Sequence, residues 1–438
     1  MTLAKNSAKP KSDNLLPALP NYLCHKKIAV IGLGISGLSV YQLLLKAGVA
    51  PENLVTFDDK NSSANFNDSV KLQKEFDPDL LVISPGVPLS TPWIQEYQKS
   101  GGAISSELSI AFGFLTTEKI IAVTGSIGKS TVTSLIGIAS LNQNNDNFFG
   151  GNLGCPLADY VQKVYFDKAN SKADWITLEL SSYQLENFAN LKADISVFTY
   201  LSPNHLERYV DLSAYYNTKL NLLQHTEGPI VCNQNGGDLK KSITPNPATA
   251  SVCQKIFWCH RHDLNMQKYH IQSCNMVGTH NLDNLAVALQ VGLLCQWPTS
   301  FIKSLSEFSG LPHRLENLGH YDFADIRNIQ FINDSKSTTM NSVLEAVESV
   351  LPNVPKQSNL VLLLGGKDKN LPWSQLSVLG KHSNIRFLFF GSVANTAKEQ
   401  SALDGSTYTS LNEAMSNLRK HLTSNDIVLL SPGGTSLD

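Results

Sequence analysis

Long apolar runs are missing from this 438-residue chain. Its most apolar stretches, NLVLLLGG and RFLFFGS, are far shorter than the roughly 20 residues a membrane-spanning helix needs, and they suit buried parallel strands. A charge surplus is missing too, because 35 basic and 37 acidic side chains leave a formal net charge of −2. Neither nucleic acid nor a membrane is therefore expected as a partner. Seven cysteines form an odd set without regular spacing. They exclude a disulfide framework and fit a reducing, cytoplasmic location. Cys253, Cys259, His260 and His262 lie close in sequence, but their spacing matches no zinc pattern and they are read as structural.

What is present is a globular composition, 42% hydrophobic and 16% charged. A chain of this length implies about three domains. Residues 1–27, rich in Lys, Pro, Ser and Asn, are expected to form a loosely ordered extension before the fold begins near Ile28. From there short β-branched runs alternate with helical stretches. KKIAVIG, NLVTFDD and PDLLVISPG form one series. EKIIAVTG, DWITLELSS, ADISVFTYLS and GPIVCN form a second, and IQFINDSK, NLVLLLGGKDK, IRFLFFGS and DIVLLSPGG a third. This rhythm predicts α/β units with parallel sheets covered by helices. The expected domains span residues 28–113, 114–312 and 313–438: an N-terminal Rossmann-like unit, a central P-loop ATPase-type sheet and a C-terminal Rossmann-like unit.

Gly32, Gly34 and Gly37 form Gly-x-Gly-x-x-Gly between a strand and a helix, where backbone N–H groups and a helix N-terminus hold a diphosphate. Asp58 and Asp59 end the next strand about 20 residues later, where a dinucleotide site places its ribose-reading carboxylate. Alone this pattern describes a NAD-dependent dehydrogenase, although the same glycines serve any diphosphate or simply a tight turn. The second loop, IIAVTGSIGKST, ends in Gly128, Lys129, Ser130 and Thr131 ahead of a helix. It reads as a phosphate cradle in which Lys129 reaches the β- and γ-phosphates and Ser130 faces Mg²⁺. Position 123, where the common P-loop pattern has glycine, is Val123. Glu179 ends a buried strand, where a carboxylate is costly unless it binds something. His205 lies just past another strand end, and Lys219 sits in the helical run SAYYNTKLNLL.

TGSIGKST, ELSSYQLE, SPNHLERY, GTHNLDN, SGLPHRLE, NDSKST, LLLGGKDK and LLSPGGTSLD, in that order, resemble the Mur ligases from about residue 28 to the end. The shortened loop is that family's own form. ELSSYQLE resembles the branch that adds D-glutamate to UDP-N-acetylmuramoyl-L-alanine, using ATP and an acyl-phosphate intermediate. The resemblance implies that Ile35, Ser36, Asp58, Asp59, Lys60 and Gly86 hold the uridine diphosphate. Gly125, Ser126, Ile127, Gly128, Lys129, Ser130 and Thr131 would cradle ATP, whose remainder meets Asn281, Asn284, Arg314 and Asp334. Asn152, Glu179 and His205 would line the reaction centre, with Lys129 and Lys219 among the catalytic groups. Two Mg²⁺ sites are implied, on Ser130, Glu179, His205 and Lys219, the last carbamylated in this family. Lys336, Thr338, Lys369 and Ser436 match positions that grip D-glutamate. A monomer acting on small molecules is expected.

Several positions depart from the family pattern. Ile127 and Thr339 stand where Asn is usual, Asn204 where a carboxylate is, and Gly433 and Gly434 where bulkier residues are. The family's closing segment would follow Asp438, so the last domain is expected to be truncated. A catalytically impaired relative, or a ligase for another amino acid, stays open as an alternative.

Overall fold

The computed structural model describes residues 23–188, 190–203, 208–243, 255–263, 269, 276, 279–367 and 371–434. It divides into two compact units, residues 1–258 and 259–438.

The first unit opens with a parallel sheet of β1 (Ile28–Ile31), β2 (Leu54–Phe57), β3 (Leu80–Ile83) and β4 (Ala103–Ser105), ordered β2-β1-β3-β4. Every residue of β1 and β3 is buried, as expected of strands covered on both faces. The second sheet comprises β5 (Lys119–Thr124), β6 (Phe148–Gly151), β7 (Trp175–Glu179), β8 (Ile195–Phe198), β9 (Ile230–Asn233) and β10 (Ile256–Cys259). Its order is β10-β9-β8-β5-β7-β6. From β5 the chain runs to the edge strand β6, returns to β7 beside β5, and then crosses to β8, β9 and β10 on the other side. A ligand crevice therefore opens at the carboxyl ends of β7, β5 and β8, where strand order reverses.

The two sheets share one apolar core. Val40, Leu43 and Leu44 of the helix Ile35–Lys46 belong to the same buried cluster as Leu157, Val161 and Ile176. Polar bonds stitch the seam between them. Ser39 donates to Asp159 at 2.5 Å, Gln162 donates to the Ser39 carbonyl at 3.1 Å, and Lys46 pairs with Asp167 at 2.6 Å. Buried Glu107 accepts the backbone N–H of Ala158 at 2.7 Å.

The second unit carries β11 (Glu316–Phe323), β12 (Ile326–Asn333), β13 (Leu360–Gly365), β14 (Ile385–Phe390), β15 (Gly405–Tyr408) and β16 (Ile427–Gly433). Their order is β11-β12-β16-β13-β14-β15. Unlike the all-parallel expectation, this sheet is mixed, because β11 and β12 form an antiparallel hairpin. Residues of β11 are largely exposed, so no continuous apolar run marks it. Among the described residues no helix is long and apolar enough to cross a membrane.

The fold also accounts for two unusual C-terminal glycines. Gly433 has φ +72°, and a Cβ there would stand 2.8 Å from Met340 Cε. A Cβ at Gly434 would fall 2.4 Å from the Gly365 carbonyl oxygen. Bulkier residues do not fit where this backbone passes.

Candidate active site

A cleft of about 620 Å³ lies at the carboxyl end of the first sheet and reaches the second. Ile35, Ser36, Asp58, Asp59, Lys60 and Gly86 all line it, and so does Asn152. The structure thus brings together the residues expected to hold the nucleotide end of the substrate. Gln184 and Trp93 line it as well. Neither was expected: Gln184 lies inside ELSSYQLE, whereas Trp93 has no motif to mark it. Gln184 Oε1 accepts from the Ser181 backbone N–H at 3.0 Å, closing a capping box that starts the turn Ser182–Leu185.

Asp58 is bonded into the glycine turn itself. One carboxylate oxygen accepts the Leu33 N–H at 2.8 Å and the other the Lys60 N–H at 3.0 Å. These backbone bonds, that of Leu33 first, hold the carboxyl below its ordinary range. Asp58 therefore ties the glycine turn to the end of β2.

The second loop leaves β5 at Gly125, whose φ of +152° disfavours any residue with a side chain. A Cβ at Gly125 would stand 2.1 Å from Thr199 Oγ1. The loop is fastened to the segment after β8. The Ser126 N–H donates to the Tyr200 carbonyl at 2.6 Å, the Ser126 hydroxyl to the Ser202 carbonyl at 2.9 Å, and Tyr215 to Ser126 Oγ at 3.0 Å. Thr199 Oγ1 donates to the Ile127 carbonyl at 2.5 Å. Ile127 thus takes part in holding the loop through its backbone carbonyl. Thr199 was not marked by any sequence motif.

Gly128 caps the helix Lys129–Leu141 without a side-chain bond, so the helix start presents N–H groups to an anion. Lys129 Nζ donates back to the Ser126 carbonyl at 3.0 Å. Glu179, at the end of β7, is buried; its Oε1 accepts from Asn152 Nδ2 at 2.7 Å, while Oε2 has no hydrogen-bond partner. A bare buried carboxylate oxygen is a natural seat for a cation. Lys219, on the helix Leu212–Leu220, is also buried. Burial first, then the charge of Lys129, holds its ammonium well below the ordinary lysine range, against the pull of Glu179. A lysine that readily loses its proton is the chemical prerequisite for reaction with CO₂ at its amine. Glu179 Oε2 thus offers one free oxygen to a divalent metal.

In the second unit, Asn281 and Asn284 lie on the helix Thr279–Leu294, with Asn284 Nδ2 donating to Asn281 Oδ1 at 3.1 Å. Asp334 follows β12. Its oxygens accept from the Leu315 N–H at 3.2 Å and the Ser431 hydroxyl at 3.0 Å. Burial nonetheless pushes its carboxyl up to about 6, against the neighbouring charge of Arg314. Lys336 and Thr338 are exposed. Thr339 caps the helix Met340–Val350, accepting the Ser342 N–H at 3.2 Å. Thr and Asn both serve as caps, which makes this departure structurally mild. His205, Asn204, Lys369, Ser436 and Cys253 lie outside the described residues. His260 and His262 stack at 4.4 Å, and no metal-holding cluster occurs among the described residues.

Two family models match the chain: the Mur ligase middle domain over residues 123–292, and the Mur ligase MurD-like, N-terminal domain over residues 26–106. The chain belongs to the Mur ligase family. It is 31% identical to the UDP-N-acetylmuramoylalanine--D-glutamate ligase of Pasteurella multocida (strain Pm70), over 94% of each chain. It is 30% identical to the enzyme of the same name from Buchnera aphidicola subsp. Acyrthosiphon pisum (strain Tuc7), again over 94% of each. Among solved structures, UDP-N-acetylmuramate-alanine ligase MurC from Thermotoga maritima shares the fold, with a TM-score of 0.53 at 15% identity over 94% of this chain and 96% of that one. The bifunctional folylpolyglutamate synthase/dihydrofolate synthase of Yersinia pestis gives a TM-score of 0.55 at 14% identity, covering 74% and 88%.

Proposed function

We infer that this chain is an ATP-dependent ligase that joins D-glutamate to UDP-N-acetylmuramoyl-L-alanine in peptidoglycan precursor synthesis. One observation carries the link between site and reaction. Asn152 lines the nucleotide-sugar cleft while its amide holds Glu179 beside the phosphate loop. The acceptor and phosphoryl-donor sites therefore share a wall.

A carboxylate is a poor electrophile, so one oxygen of the alanyl carboxylate takes the γ-phosphoryl of ATP and ADP leaves. The uncharged amine of D-glutamate then attacks the acyl carbon, and phosphate departs as the amide forms. Lys129 and the N–H groups at the start of its helix would neutralise charge on the transferring phosphoryl group. Ser130 and Glu179 would hold one Mg²⁺, with His205 and a carbamylated Lys219 at a second. The metal would supply charge neutralisation during phosphoryl transfer. Asn281, Asn284, Arg314 and Asp334 would meet the rest of ATP, and Lys336, Thr338, Lys369 and Ser436 the D-glutamate. The chain would act as a cytoplasmic monomer.

Phosphate release from ATP with UDP-N-acetylmuramoyl-L-alanine tests this reading. Release that requires D-glutamate, and is absent with L-glutamate or no amino acid, is the expected result. ATP binding without release would favour an impaired relative, and release with a different amino acid another branch.

A further inference from the structure

Arg208 has no role in the chemistry above, yet its guanidinium is held by several partners. About a tenth of its side chain is exposed. Its Nε and Nη2 grip the two Glu186 oxygens at 2.9 and 2.6 Å, a bidentate fork that lysine cannot reproduce. The guanidinium lies 4.0 Å from the centre of the Tyr183 ring. Nη2 also donates to the Val87 carbonyl at 3.4 Å.

These partners come from different sheets. Tyr183 and Glu186 follow β7, whereas Val87 follows β3. Val87 and its neighbours Gly86 and Pro88 line the 620 Å³ cleft, and so does Gln184, between Tyr183 and Glu186. A second bond runs parallel to the first, from Asn187 Nδ2 to the Ser105 carbonyl at the end of β4, at 2.8 Å. Val87 in turn packs on the glycine turn, since a Cβ at Gly32 would stand 2.9 Å from Val87 Cγ2.

A buried ion pair is weak evidence for stability, because desolvation offsets much of its attraction. The Arg208–Glu186 pair would also be complete without Val87. Its extension across the seam is what a stability role leaves unexplained. We propose that Arg208 is a positioning residue for the nucleotide-sugar substrate: by tying the wall at Val87 to the turn Tyr183–Asn187, it fixes the width of the cleft. This rests on the reading of that cleft as the uridine diphosphate site.

The test uses the full chain and its Arg208→Lys and Glu186→Gln variants, with UDP binding measured by calorimetry beside steady-state kinetics. Arg208→Lys keeps the charge and loses the fork. Loss of one charge-assisted bond predicts a rise of about tenfold in the UDP Kd and in KM for the UDP substrate. Values of kcat and of KM for ATP and D-glutamate stay within about threefold, since their sites keep their bonds. Glu186→Gln shifts the same two constants, and the double variant adds little, because both changes break one linkage. Variants that melt earlier but bind UDP like wild type would reduce Arg208 to a structural role and overturn the proposal. A collapse of kcat with unchanged UDP affinity would overturn it too. Wild-type protein that turns over but ignores UDP would remove the reading of the cleft, and the proposal with it.

Discussion

Glu107 offers a prediction whose size follows from its surroundings. The side chain is 2% exposed and accepts the Ala158 N–H, with Asp159 as a like-charged neighbour. Burial, more than that neighbour, raises its carboxyl from 4.5 to about 7. Below pH 4.5 both folded and unfolded chains carry the proton, and the residue adds no pH dependence. Between pH 4.5 and 7 the unfolded chain ionises while the folded one keeps its proton. Stability therefore falls as pH rises, and the loss levels off above pH 7 at about 3 kcal/mol. Glu107→Gln retains an oxygen for the Ala158 N–H and cannot ionise. Its advantage over wild type should thus grow by about 3 kcal/mol between pH 4.5 and pH 8.5, or roughly 6–12 °C in the melting of the first unit. Calorimetric scans of both proteins at the two pH values measure this directly. A melting difference that stays constant with pH would refute the assignment of a neutral, buried Glu107.

Three further perturbations address the phosphate loop. Gly125→Ala places a Cβ on Thr199 Oγ1, forces a strained backbone costing about 1–3 kcal/mol, and should weaken ATP binding at least tenfold by calorimetry. Ile127→Asn should leave KM for ATP and kcat within about threefold, because only the carbonyl of residue 127 is bonded; Thr199→Val, which removes that bond, should raise KM for ATP several-fold in the same phosphate-release assay.

Legibility in the sequence followed burial. Most interior strands, such as Ile28–Ile31, Leu80–Ile83 and Leu360–Gly365, are apolar runs that stand out from their surroundings. The strands that went unread are Ala103–Ser105, Phe148–Gly151, Ile256–Cys259, Glu316–Phe323 and Gly405–Tyr408, and every one lies at a sheet edge. Edge strands are short or solvated on one side, so no continuous hydrophobic stretch announces them. The site shows a similar divide. Lys129 and Glu179 stood out because a charge placed among apolar or glycine neighbours is conspicuous, whereas Lys219, in a helical run that reads as an ordinary surface, was reached only through the family resemblance. Thr199 and Trp93 were not, since a Thr or Trp after a strand is ordinary until the fold shows what it touches. Asp58 could be read as ending a strand beside the glycine turn, but its two backbone partners, Leu33 and Lys60, come together only in the folded turn.

The polar seam joining Ser39, Lys46 and Glu107 to Asp159, Asp167 and Ala158 also bears on how substrate is captured. The residues lining the 620 Å³ cleft all belong to a single compact unit, so the cleft exists before anything enters it. Recognition of the uridine end should then resemble a key entering a fixed lock, with little ordering to be done on contact. Whatever rearrangement turnover demands would fall to other parts of the chain. The carrier end of the substrate would be held still while its short peptide tip is extended.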